Sequence, residues 1–175
     1  MTEPYILGEQ HHLAFGTIIQ HFARFERLVE GAISHILGAR HALVALTISG
    51  LGYNAKCEAL TSLLGVTSGP AGYADTVRSA LDSFNEHLPL RNAIAHHPWK
   101  KGTRPDSVRH LSLSSRGGKA KARGMSPDDR DYTLDELIDI ADGLLDTHDK
   151  LTAYLISKGM WDRAAETTED KRSSS

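Results

Sequence analysis

Cysteine is nearly absent: Cys57 stands alone in 175 residues. That excludes a disulfide framework and a thiolate metal cluster, and it suits a reducing compartment. No apolar run approaches the roughly 20 residues that a membrane helix needs. The opening MTEPYILGEQHH lacks the basic and apolar regions of a signal peptide, so a cytoplasmic chain with no membrane association is expected. Charge of one sign is also missing: 20 basic and 22 acidic side chains leave -2. This argues against bulk attraction to nucleic acid but allows a local basic site. Gly50-Leu51-Gly52 and Gly65 lack the Lys-Ser/Thr signature of a phosphate loop. The 10 histidines include no H-E-x-x-H and no i,i+4 pair beside a carboxylate. His11-His12 and His96-His97 are neighbours that diverge by about 100° on a helix, so neither metal nor cofactor is expected.

What remains is a globular composition, 40% hydrophobic and 24% charged, with strong helical periodicity. Leu13, Phe15, Ile18, Ile19, Phe22, Phe25, Leu28, Val29, Ile33 and Ile36 predict a long helix over 9–37 that stops at Gly38. A short apolar helix follows at 40–49, and Gly50 and Gly52 break it. Another covers 54–64, with Cys57 buried on its apolar face, and 65–72 is a loop. Tyr73, Val77, Leu81, Phe84 and Leu88 predict the next helix. Pro89 either kinks it or opens a second one. Over 104–132 the pattern alternates around Gly117-Gly118, which predicts a β-hairpin at about 105–125 with a basic outer face. Thr133 and Glu136 form a capping box. The helix behind it buries Leu134, Leu137, Ile138, Ala141, Leu144, Leu145, His148, Leu151 and Leu155, and ends at Gly159. The expected architecture is all-α, a helical bundle in one domain over 1–160 with an inserted hairpin. Residues 161–175 form a tail too polar for a core.

The chemistry concentrates in Pro89–Trp99, PLRNAIAHHPW. Continuing the apolar stripe of Val77, Leu81, Phe84 and Leu88 puts Arg91 near the centre of the buried face. Asn92 flanks it, His96 lies one turn beyond Asn92, and His97 points away. A guanidinium that cannot lose its charge is costly in a core unless it is paired or faces a polar cleft. An inward Arg, Asn and His therefore predict a site or a polar interface.

The run Arg91-Asn92-Ala93-Ile94-Ala95-His96 resembles the R-x4-6-H motif of HEPN domains, in the form where Asn follows Arg. The resemblance extends over about 10–158 through the order of the helices, while its specific part is these six residues. It implies a homodimer in which two motif helices meet across a two-fold axis. It also implies a metal-independent endoribonuclease of the kind found in toxin–antitoxin and phage-defence systems. The alternative is a non-catalytic dimerisation or RNA-binding module. On the endonuclease reading, Arg91 clamps the scissile phosphate, His96 is the acid/base, and Asn92 orients one of them. The products would carry a 2′,3′-cyclic phosphate. His97 satisfies the longer spacing and remains a second candidate. Pro98 occupies the place of a tyrosine found in those toxins whose antitoxin is a nucleotidyltransferase, so regulation through that tyrosine is not expected, and the sequence leaves open whether a cognate antitoxin protein is a partner. His97, Trp99, Lys119, Lys121 and Arg123 are the expected RNA contacts. Trp99 reads first as a hydrophobic clamp after the motif helix, with stacking on RNA as the sharper option. Glu26 reads as a solvated or helix-pairing carboxylate rather than a catalytic one.

Overall fold

The structure is a computed structural model that describes residues 7–67, 72–111, 113–116, 119–122 and 130–161. It is mostly helical. The helices are α1 (Glu9–Leu37), α2 (His41–Ile48), α3 (Tyr53–Val66), α4 (Tyr73–Glu86), α5 (Leu88–His96) and α6 (Leu134–Ser157). The strands are β1 (Trp99–Lys101), β2 (Ser107–His110), β3 (Leu113–Arg116), β4 (Lys119–Ala122) and β5 (Tyr132–Thr133). No single helix among the described residues is long and apolar enough to cross a membrane.

Local signals set the helix ends. Gly38 and Gly159 take φ of 61° and 68°, the left-handed conformation that glycine adopts without penalty. Beyond α1, Gly38 N–H reaches His35 O and Ala39 N–H reaches Ser34 O. Beyond α6, Gly159 N–H reaches Ile156 O and Met160 N–H reaches Leu155 O, the same paired closure. At the front of α6 the capping box is formed. Glu136 N–H donates to Thr133 Oγ1 at 3.2 Å, and Thr133 N–H donates to Glu136 Oε2 at 2.7 Å. Pro89 opens a second helix rather than kinking one: α4 stops at Glu86, and α5 begins at Leu88 with the proline in its first turn.

Two compact units share the chain. Met1–Phe22 and Phe84–Leu145 form the first, and Ala23–Ser83 and Asp146–Ser175 the second. In the first unit Phe15, Ile18, Phe22, Phe84, Leu90, Ala93, Val108, Leu137, Ala141 and Leu144 are buried. Phe22 and Phe84 meet edge to face at 5.2 Å. In the second, Phe25, Leu28, Val29, Ile33, Cys57, Leu60, Leu64, Val77, Leu81, Leu151 and Leu155 are buried, and the Tyr73 and Tyr154 rings stack at 6.5 Å. Glu26 is a helix-pairing carboxylate. Lys56 of α3, only 4% exposed, donates to Glu26 Oε1 at 2.6 Å and to Glu30 Oε1 at 2.7 Å on α1. Burial pulls the Lys56 pKa down, but the two carboxylates outweigh it and hold the ammonium above its ordinary value.

Several expectations need correction. Leu13 and Ile138, placed on buried stripes, are 63% and 43% exposed, and His148 is half-buried. The expected hairpin is two structures. β3 and β4 pair antiparallel, Leu113 to Ala122 through Arg116 to Lys119. The earlier alternating residues belong instead to β2, the centre of a three-stranded antiparallel sheet ordered β1-β2-β5. In it Trp99 stands opposite His110, and Val108 opposite Tyr132. Gly117-Gly118, Arg123 and the tail over 162–175 lie outside the described residues.

Candidate functional site

The motif segment folds as α5 and β1, both in the first unit. Because α5 restarts after the turn at His87, its phase follows its own apolar residues and not the stripe of α4. Leu90 and Ala93 are buried, Arg91 is half-buried, and Asn92, Ala95 and His96 are exposed. The expectation that Arg91 sits near the centre of the buried face is thereby overturned. A proline at the start of a helix sets a new register, and the inward positions become 90 and 93 instead of 91, 92 and 95.

Arg91 Nη1 donates to Asn92 Oδ1 at 3.0 Å, so the two adjacent side chains act as one polar unit. No carboxylate among the described residues pairs with Arg91, which leaves most of its donors to solvent or a ligand. His96 follows Asn92 by four residues, on the same side of the helix. It is exposed, with no side-chain partner among the described residues. His97 differs. Its backbone N–H closes the helix on Ala93 O at 3.0 Å, and its half-buried ring stacks on His110 at 5.4 Å. The structure therefore separates the two candidate histidines, one open and one packed.

Trp99 takes the clamp role. Its indole N–H donates to Ala93 O at 3.2 Å, and its ring lies 4.6 Å from Phe15, 5.7 Å from His110 and 6.3 Å from Tyr132. It ties the C-terminus of α5 to α1 and to the sheet, with its single donor already used. Before α5, burial pushes the His87 imidazole pKa down, with the Arg130 charge acting in the same direction against Glu86. Lys119 and Lys121 lie on β4, while Arg123 falls outside the described residues.

An ionic network beside the motif escaped the sequence reading. Arg104 grips Glu136 with both terminal nitrogens, at 3.1 and 2.5 Å, and also donates to Asp131 O. The Arg104 hydrogen bonds, helped by Thr133 N–H, hold the Glu136 carboxyl down at about 2. Asp131 Oδ2 accepts from the Thr103 N–H and hydroxyl and from Arg104 N–H. Burial raises the Asp131 pKa, but these donors and the Arg109 charge bring it below its usual value. The capping box had marked Glu136, but nothing local linked it to an arginine 32 residues earlier.

In the second unit a groove of about 570 Å³ is lined by Thr76, Ser79, Ser83, Asp146, Thr147 and Lys150, among others. Its Lys150 and Asp146 pair with each other at 2.5 Å, and Ser83 and Thr147 share a hydrogen bond at 3.2 Å. Among the described residues no group of three His, Cys, Asp or Glu side chains is placed to hold a metal ion. No protein-family model, no curated protein and no solved structure matches this chain.

Proposed function

We propose that this chain is a HEPN-type endoribonuclease that works as a homodimer, with Arg91, Asn92 and His96 as its catalytic residues. One observation carries the reading. The half-buried Arg91 is hydrogen-bonded to the exposed Asn92, the open His96 follows Asn92 by four residues on the same side of α5, and no carboxylate among the described residues neutralises the guanidinium. A planar guanidinium with free donors fits two phosphate oxygens and stabilises charge that develops on them. An exposed imidazole can take the proton of a 2′-hydroxyl or protonate the departing 5′-oxygen. Attack by the 2′-oxygen on phosphorus breaks the bond to the 5′-oxygen. This leaves a 2′,3′-cyclic phosphate on one fragment and a 5′-hydroxyl on the other. A second copy would bring a second set of these groups to one cleft, so that one imidazole accepts a proton while the other donates. The basic residues after the motif, Lys119, Lys121 and Arg123 among them, would hold the strand. A cognate antitoxin protein would be a partner that covers this face.

The test is incubation of the purified chain with single-stranded and structured RNA in EDTA. Cleavage leaving cyclic phosphates, lost in His96→Ala and Arg91→Ala, supports the reading. Absence of cleavage by the wild-type chain, or full cleavage by His96→Ala, overturns it.

A further inference from the structure

The three-stranded sheet carries a row of charges that the catalytic reading leaves unused. Lys100 on β1 stands directly opposite Arg109 on β2. On the other side, the β2–β5 register of Ser107 with Thr133 and Val108 with Tyr132, carried one step further, puts Asp131 opposite Arg109. The row therefore reads cation, cation, carboxylate. Like charges directly opposite destabilise a sheet, so an adjacent Lys and Arg need something to hold them together.

Asp131 supplies an ion pair but no hydrogen bond. Its Oδ2 is committed to Thr103 and Arg104, and its Oδ1 stays 3.9 Å from Arg109 Nε, beyond hydrogen bonding. The Arg109 side chain is 17% exposed, and its Nε and Nη1 are shut off from water without an acceptor. A guanidinium cannot shed its proton to escape that cost. Lys100 is half-buried and has no carboxylate partner among the described residues. Among the described residues no hydrogen bond holds the guanidinium where it lies, so turning its end outward gives up only the 3.9 Å contact with Asp131. Turned out beside the ammonium, it offers two parallel donors and a point charge, a set that suits a tetrahedral oxyanion bearing several oxygens.

We propose that Lys100 and Arg109 form a phosphate-binding subsite. Resting on the endoribonuclease reading, its occupant is a backbone phosphate of the RNA away from the bond that is cut. β1 begins three residues after His96, so the strand that carries Lys100 leads directly out of the motif helix.

The test uses the full-length chain labelled with nitrogen-15, titrated at constant ionic strength with inorganic phosphate and separately with a short single-stranded RNA. The RNA arm is run in His96→Ala so that the strand stays intact. Saturable shifts of the Arg109 Nε–H and Lys100 amide signals are expected in both titrations, with RNA saturating at the lower concentration. Arg109→Gln and Lys100→Gln should each weaken phosphate binding about tenfold or more. Lys100→Gln removes no described ion pair, so it keeps the test valid if Arg109→Gln fails to fold. If neither titrant gives a saturable shift, or both variants bind phosphate like the wild type, the subsite is refuted and any phosphate seen is an adventitious ion only. Shifts with phosphate but not with RNA keep the subsite and remove RNA as its occupant. Phosphate binding in a chain that cuts no RNA sinks the ribonuclease reading alone; cleavage without the shifts sinks the subsite alone.

Discussion

His96 and His97 are chemically identical neighbours that the fold treats differently. His96 is open at the end of α5, while His97 stacks on His110 in the sheet. His96→Ala should therefore stop cleavage with a stability change within about 0.5 kcal/mol, as is usual for exposed sites. His97→Ala should leave cleavage in place and lower the melting temperature. Cleavage of model RNA with thermal denaturation of both variants checks the pair, and the opposite pattern would move the acid/base role to His97. Lys56 makes a different residue-scale case. Removing the Lys56 ammonium from between Glu26 and Glu30 leaves two carboxylates without the cation they share, so Lys56→Met should cost about 3 kcal/mol near neutral pH. Urea titrations of the wild type and the variant at neutral pH will show the loss, and an unchanged midpoint would show that the Lys56 pairs contribute nothing.

At the level of elements, α6 depends on the contacts at its start. Thr133→Ala removes the hydroxyl that caps Glu136 N–H and should cost about 1 kcal/mol. The Glu136 carboxyl sits at about 2 in the folded chain against an ordinary 4.5. Its contribution is complete above about pH 4.5 and drains away as pH falls toward 2, because the unfolded chain takes the proton first. Asp131, also lowered, adds to the same acid loss. Glu136→Gln should flatten the dependence of the urea midpoint between pH 5 and 2, and an unchanged slope would show that the Arg104 pair contributes nothing. On α1, Gly31 leaves the space that Trp161 fills: a Cβ there would lie 1.6 Å from the indole Cζ3. Gly31→Ala should displace the ring or cost about 1–3 kcal/mol, seen as red-shifted tryptophan emission with a lower melting temperature.

For the molecule as a whole, the endoribonuclease reading requires a second copy, since one chain supplies one Arg91–Asn92–His96 set. Light scattering at micromolar concentration should give twice the 19.1 kDa chain mass, and a monomer alone would count against a composite site. With net charge -2, the chain has no global field to attract RNA, so affinity must come from the basic residues after the motif. Reversing Lys119, Lys121 and Arg123 to glutamate should weaken RNA binding and flatten its salt dependence, with little change in rate at saturating RNA.

How much of this could be read from the chain follows from the distance over which each feature is decided. The ends of α1 and α6, their closing glycines and the Thr133–Glu136 box were legible because each depends on residues no more than five apart. The Arg91-Asn92-His96 spacing was legible for the same reason. Its orientation was not: the restart of α5 at Leu88 turned Leu90 and Ala93 inward and left His96 open, and which phase wins depends on what α5 packs against. β5 is two residues long, too short for any periodicity, and acquires its meaning only by pairing with β2. The same pairing placed Asp131 beside Arg109, 22 positions apart, and α3 brought Lys56 to Glu26 and Glu30 across 30 and 26 positions. Local chemistry is written in neighbouring residues, while charge partners and burial phase are chosen by whichever distant segments fold against them, and in this protein those choices shape the candidate site.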